Sequence, residues 1–114
     1  MESAIECSFL IPIRRDANLS DGEPHAKEAW NWFEATLLAA FGGRTIAPGF
    51  YHGAYTDPDT HQPVADESVR FIVAASESDI ALLRTILSIA CTVFQQKCIY
   101  LSIAGRVEFI GGET

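Results

Sequence analysis

Three separated stretches of this chain alternate apolar and polar residues with a strict period of two, and this pattern constrains its fold more than any other feature. Ile5, Cys7, Phe9, Ile11 and Ile13 share one side of the first stretch. Val69, Phe71, Val73 and Ala75 share one side of the second, and Ile99, Leu101 and Ile103 one side of the third. Successive side chains of a strand point to opposite faces, so each stretch reads as a strand with one buried face. Between them the period becomes helical. Ala26, Trp30, Phe33, Leu37 and Phe41 form one apolar stripe; Ile80, Leu83, Leu87, Ala90, Cys91 and Phe94 form another.

The boundaries are written in cap and turn residues. Ser20 and Glu23 have the spacing of a capping box and Pro24 suits a first helical turn, which predicts a helix over about 24–41, closed by Gly42–Gly43. Pro12 cannot donate to a ladder, so pairing should weaken there, and Arg14 to Gly22 reads as a loop. Arg44 to Tyr55 is aromatic and β-branched but interrupted by Pro48, Gly49 and Gly53, which predicts an irregular, bulged strand forming a hairpin with Ser68–Ala75. Ser76 or Ser78 caps the second helix, and Ala104–Gly105 turns the last long strand into a short one at Val107–Ile110. The order strand–helix–strand–strand–helix–strand predicts an α+β chain of ferredoxin-like βαββαβ type. It would have a four-stranded antiparallel sheet, two helices on one face and a short extra C-terminal strand.

At 114 residues the chain is expected to form one domain, 1–114, able to bury a core without metal or disulfide. Its net charge of −7, with eight scattered Lys and Arg, lacks the basic footprint that nucleic acid or an anionic membrane requires. No apolar run approaches the roughly 18 residues of a membrane helix, and Met1–Glu2–Ser3 lacks the basic start of an export signal. The cysteines, Cys7, Cys91 and Cys98, are odd in number; Cys7 and Cys91 sit on apolar faces, as buried thiols do. A reducing, cytoplasmic location is expected.

If the more apolar positions face the helices, the other face of the sheet carries Ser8, Leu10 and Pro12, then Arg70, Ile72 and Ala74, then Cys98, Tyr100 and Ser102. That set is half apolar, too greasy for a solvated face and too polar for a core, and such surface marks an interface or a ligand groove. A second copy, the chain's own Tyr51–Asp66 loop, or a small molecule could cover it. A homodimer is the expectation.

Motifs for chemistry are few. Asp57-Pro58-Asp59-Thr60 spells the D-x-D-x-T of haloacid-dehalogenase-like phosphotransferases, but there the first Asp ends a buried strand, whereas here the residues form a polar turn. A solvated turn is expected, and Asp57, Asp59 and His61 are too few for a metal. No metal and no cofactor are expected. Of the histidines, His25 falls at a helix start, while His52 stands among Phe50, Tyr51 and Tyr55, where an aromatic pocket with one titrating group could form. No serine sits in a nucleophile elbow.

Phe41-Gly42-Gly43-Arg44-Thr45, Gly49-Phe50-Tyr51, Asp66-Glu67-Ser68, Ile99-Tyr100 and Gly105-Arg106-Val107-Glu108-Phe109-Ile110 resemble a group of small uncharacterised bacterial proteins. The resemblance implies the ferredoxin-like fold and no activity. Architecturally the chain is also similar to dimeric α+β barrel proteins, which pair sheet to sheet and in some members degrade small aromatic compounds; fold alone does not carry that function over. The leading expectation is therefore a non-catalytic, homo-oligomeric binding module using its open sheet face. The alternative is a small enzyme or ligand sensor with a pocket between the sheet and residues 50–55, its polar groups Tyr51, His52, Arg70 and Tyr100.

Overall fold

In the computed structural model, which describes residues 3–112, the alternating stretches pair as one antiparallel sheet. Met1 and Glu2, on which the reading of an absent export signal partly rests, lie outside the described residues. The elements are β1 (Ile5–Pro12), α1 (Lys27–Phe41), β2 (Thr45–Ile46), β3 (Tyr51–Thr56), β4 (Pro63–Ala75), a 3-10 turn (Glu77–Asp79), α2 (Ile80–Val93), β5 (Cys98–Ile103) and β6 (Arg106–Gly111). The strand order is β2-β4-β1-β5-β6, with β3 also lying along β4. Its middle, β4-β1-β5, is the order expected of the split βαβ arrangement.

The sheet has six strands where four and a short extra one were expected. The irregular 44–55 stretch is two strands, both on β4: β2 pairs at Phe71–Ile72 and β3 at Pro63–Ser68. Gly49, at φ 78°, takes the left-handed conformation that breaks the stretch, while the Ala47 N–H still donates to Arg70 O at 2.9 Å.

α1 begins later than its cap signals suggest. Arg15 N–H donates to Glu23 O at 2.8 Å and Arg14 bridges to Pro24, so residues 23–24 belong to the loop and Ala26 becomes the N-cap, without a side-chain bond. Its other end is as read: Gly42, at φ 75°, donates its N–H to Leu38 O.

The core lies between the helices and one sheet face. Cys7, Phe9 and Ile11 from β1, Phe71 and Val73 from β4, and Ile99 and Leu101 from β5 meet Phe33 and Leu37 of α1 and Leu83, Leu87 and Cys91 of α2. His25 closes one end, half-buried against Trp30 and Phe94, with Nε2–H donating to Pro12 O at 2.7 Å. Burial lowers its pKa. α2 is tied to β6 by a two-pronged Arg84–Glu108 pair and by Ser88 Oγ–H donating to Gly111 O.

The opposite face carries the residues assigned to it. Leu10 pairs with Arg70 on one side and Tyr100 on the other, and Ser8 with Ile72 and Ser102. β6 adds Val107 and Phe109, 47% and 67% exposed, Phe109 meeting Tyr100 edge-on. The 51–66 segment lies at the sheet edge as β3 and its hairpin.

No helix among the described residues is long and apolar enough to cross a membrane.

Candidate functional site

β4 is longer than β1, and a recess follows from that mismatch. The β1–β4 ladder ends at Pro12↔Ser68, so Pro63–Glu67 continues with β3 alone beside it. Pro12 has no N–H to extend the ladder; after Ile13, whose N–H donates to Glu67 O at 2.9 Å, the chain turns away. The 14–22 loop then spans the gap, anchored by Asp16 N–H to Gln95 O at 2.9 Å. Between loop and hairpin opens a cavity of about 490 Å³, within the roughly 300–1,000 Å³ of small-molecule sites.

Its polar lining is acid-rich. Asp16 is buried, its Oδ1 accepting the Asn18 N–H at 2.7 Å and its Oδ2 the Tyr55 phenol O–H at 2.9 Å. Burial, and then the bond to Asp16, push the Tyr55 phenol well above the usual tyrosine value. With its O–H directed at Asp16, the phenol oxygen has lone pairs left for another donor. Asp66 is half-buried across the ladder from Gly53, where a Cβ would lie 3.3 Å from its Oδ1, and burial raises its carboxyl pKa. Glu67 stands opposite His52, Oε1 3.6 Å from Nδ1.

The basic lining is mostly committed. Arg15 holds Asp21 through two bonds of 2.6 and 3.0 Å, which brings the Asp21 carboxyl down to about 2. Arg14, at the rim, makes no ion pair with any described residue. Such a lining suits a ligand with a positive centre and, elsewhere, an anionic group for Arg14.

Behind the loop lies a second polar assembly. Asp57 is fully buried: Oδ1 accepts the N–H groups of Asp59 and Thr60 at 2.8 and 3.0 Å, and Oδ2 the Asn18 side-chain amide at 3.1 Å. Lys97 Nζ lies 3.0 Å from both oxygens and reaches Asp59 at 2.7 Å. The Thr60 N–H foremost, then Lys97, hold this carboxyl far below the usual range despite burial. The expected solvated turn is thus solvated only in part; its first carboxylate is an internal anchor with both oxygens engaged.

The residues singled out from sequence do not converge. His52 lines the cavity, with its side chain 76% exposed. Tyr51, opposite Ser68, is exposed and outside it. Arg70 and Tyr100 flank Leu10 on the open face, near one another and away from the cavity. Asp16, Tyr55, Asp66 and Glu67 were missed. The adjacent acids Asp66–Glu67 at a strand's start were the available signal.

No family model matches the sequence, and no curated protein does. Among solved structures, a phage SAM lyase in complex with S-methyl-5'-thioadenosine is similar, with a TM-score of 0.71 at 16% identity, over 99% of this chain and 93% of that one. A phage SAM lyase in the apo state is similar with a TM-score of 0.64 at 17% identity, over 100% of this chain and 97% of the other. At such identities the likeness is one of fold. It corrects the expectation of a non-catalytic binding module, and with it the leaning away from an enzyme; the small-enzyme alternative fits better.

Proposed function

We propose that this chain is a small enzyme that cleaves S-adenosylmethionine in the cavity between the 14–22 loop and the β3–β4 hairpin, releasing S-methyl-5'-thioadenosine. The observation that carries the reading is an acid-lined cavity in a chain that shares its fold, almost end to end, with a phage SAM lyase. Release of that thioether requires the bond between sulfur and the aminobutyrate chain to break. Sulfur keeps the electron pair and loses its positive charge. A lyase satisfies the remaining carbon skeleton without water, through the substrate's own carboxylate or by loss of a proton.

The charges divide the work. Asp66, Glu67 and the Tyr55 oxygen attract the sulfonium, and Arg14 suits the substrate carboxylate. The positive charge fades as the bond breaks, so attraction to it stabilises the bound substrate more than the transition state. These groups therefore serve capture and alignment, and rate comes from holding the reacting atoms in position. His52 is retained as a rim contact beside Glu67. Self-association of the chain through the open face, around Tyr100 and Phe109, goes with this reading, as does a reducing, cytoplasmic setting for the free cysteines.

Incubation of the purified protein with S-adenosylmethionine, followed by chromatography, tests the proposal. S-methyl-5'-thioadenosine should accumulate, while S-adenosylhomocysteine, which lacks the sulfonium, should persist. Glu67→Gln should raise KM more than it lowers kcat. Absence of both product and any thermal stabilisation by S-methyl-5'-thioadenosine would refute it.

A further inference from the structure

Asp57 is 0% exposed, and Lys97, 13% exposed at its side chain, is spent on it and on Asp59. Taking such a pair out of water is costly, and apolar replacements of buried pairs are often neutral or stabilising. Stability alone thus gives a weak reason for it. Its location gives a better one. Asp57 directly follows β3, two residues beyond Tyr55, and binds the Asn18 side chain of the 14–22 loop. Asn18 in turn gives its backbone N–H to Asp16, and Asp16 receives the Tyr55 O–H. Strand and loop, nearly 40 residues apart in sequence, are closed into one ring of hydrogen bonds at the cavity wall.

The geometry points to Asp57 and Lys97 as positioning residues for the cavity: through Asn18 they fix the Asp16 carboxylate, which accepts the Tyr55 O–H hydrogen bond and leaves the phenol oxygen as an acceptor. The inference deepens the reading of the cavity as a site for a cationic substrate and rests on it. A freely rotating phenol would aim its O–H dipole at the ligand in part of its orientations and oppose a positive centre. Held by Asp16, it presents only lone pairs, and its orientation is set before the ligand arrives. The matched ligand carries a sulfonium or an N–H or O–H donor at that point; a carboxylate there would be repelled.

Asn18→Ala is the decisive variant, because it cuts the link while leaving Asp57–Lys97 and the exposed loop backbone in place. Tyr55 is followed by 13Cζ-tyrosine NMR across a pH titration, its signal assigned with Tyr55→Phe. Burial acts first on that phenol, then Asp16 by contact, with Asp57 and Cys98 through space. In Asn18→Ala its titration should fall toward the ordinary value of about 10, with the melting midpoint retained. The KM for S-adenosylmethionine, whose sulfonium is the charged partner of that oxygen, should rise about tenfold. Lys97→Met should move both readouts the same way and further. An unchanged Tyr55 titration in Asn18→Ala overturns the inference. Should the unaltered protein neither bind S-methyl-5'-thioadenosine nor convert S-adenosylmethionine, the cavity reading fails, and the tyrosine titration still decides whether the ring of hydrogen bonds orients the phenol.

Discussion

The helix-covered face of the sheet and the polar end of its β3–β4 hairpin both bury side chains, by opposite means. Under the helices, Phe9 stacks on Phe71 and meets Phe33 edge-on, both at 5.8 Å, while Phe33 contacts Phe71 and Phe94 at 5.1 and 5.3 Å. Nothing there needs a partner, only a shape. At the hairpin end Asp16, Asp57 and Gln96 are buried, and no buried side-chain polar atom among the described residues lacks a hydrogen bond. A packed apolar cluster degrades gradually as volume is lost; a closed set of polar groups fails when one member is removed, because its partners stay buried and unpaired. The first region therefore supplies stability, and the second supplies geometry at the cavity.

The largest effect should come from the apolar side. Phe33→Ala removes a ring packed among three other phenylalanines and should cost about 3–5 kcal/mol in urea denaturation, with Phe33→Leu costing clearly less. A loss under about 1 kcal/mol for the alanine variant would mean that the ring cluster is not the main source of stability, and the contrast between the two regions would break.

The polar end should show itself in pH dependence. Folding lowers the Asp57 pKa, so its stabilising contribution is complete above the unfolded value of about 3.9 and is lost as pH falls below that. Asp57→Asn should lower the thermal midpoint at neutral pH, by less than Phe33→Ala does. It should also flatten the fall in midpoint between pH 5 and pH 3. Parallel pH curves for the two proteins would show that the buried pair is not energetically coupled to folding.

The same contrast explains what could be read from sequence. A core built on shape leaves a periodic trace: Phe9, Phe71 and Leu101 fall on alternating positions, and Phe33 and Leu83 on helical ones. The order of elements, the core and the open face follow from those periods. Each part of the polar end lies at a place where a period stops, after Pro12, after Thr56 or just before Cys98. Asn18 meets Asp57 across 39 residues and Lys97 meets it across 40, and no local pattern encodes such a pairing. The capping-box spacing at Ser20 and Glu23 misled for a related reason. The Glu23 carbonyl was already claimed by Arg15, a bond that belongs to tertiary structure. His52 was singled out for its aromatic neighbours, yet cross-strand register at the hairpin placed Glu67 opposite it and Tyr55 deeper in the wall.

The smallest effect on folding should come from the open face, which has neither the packing of the core nor the closed bonding of the hairpin end. Phe109 is 67% exposed on the last strand and touches Tyr100 alone among the aromatic rings, at 5.9 Å. Phe109→Ser should therefore change the stability of the isolated chain by no more than about 0.5 kcal/mol, the usual scale for surface sites. A larger loss at dilutions where the chain is monomeric would make this face a third structural region. Sedimentation of the same variant sharpens the point. If copies of the chain meet through this face, an exposed phenylalanine beside Val107 and Tyr100 contributes to association far more than to folding, and the serine variant should dissociate at concentrations where the unaltered protein does not. Equal sedimentation of the two proteins would remove the open face from the assembly and leave the cavity end as the part of the sheet that carries function.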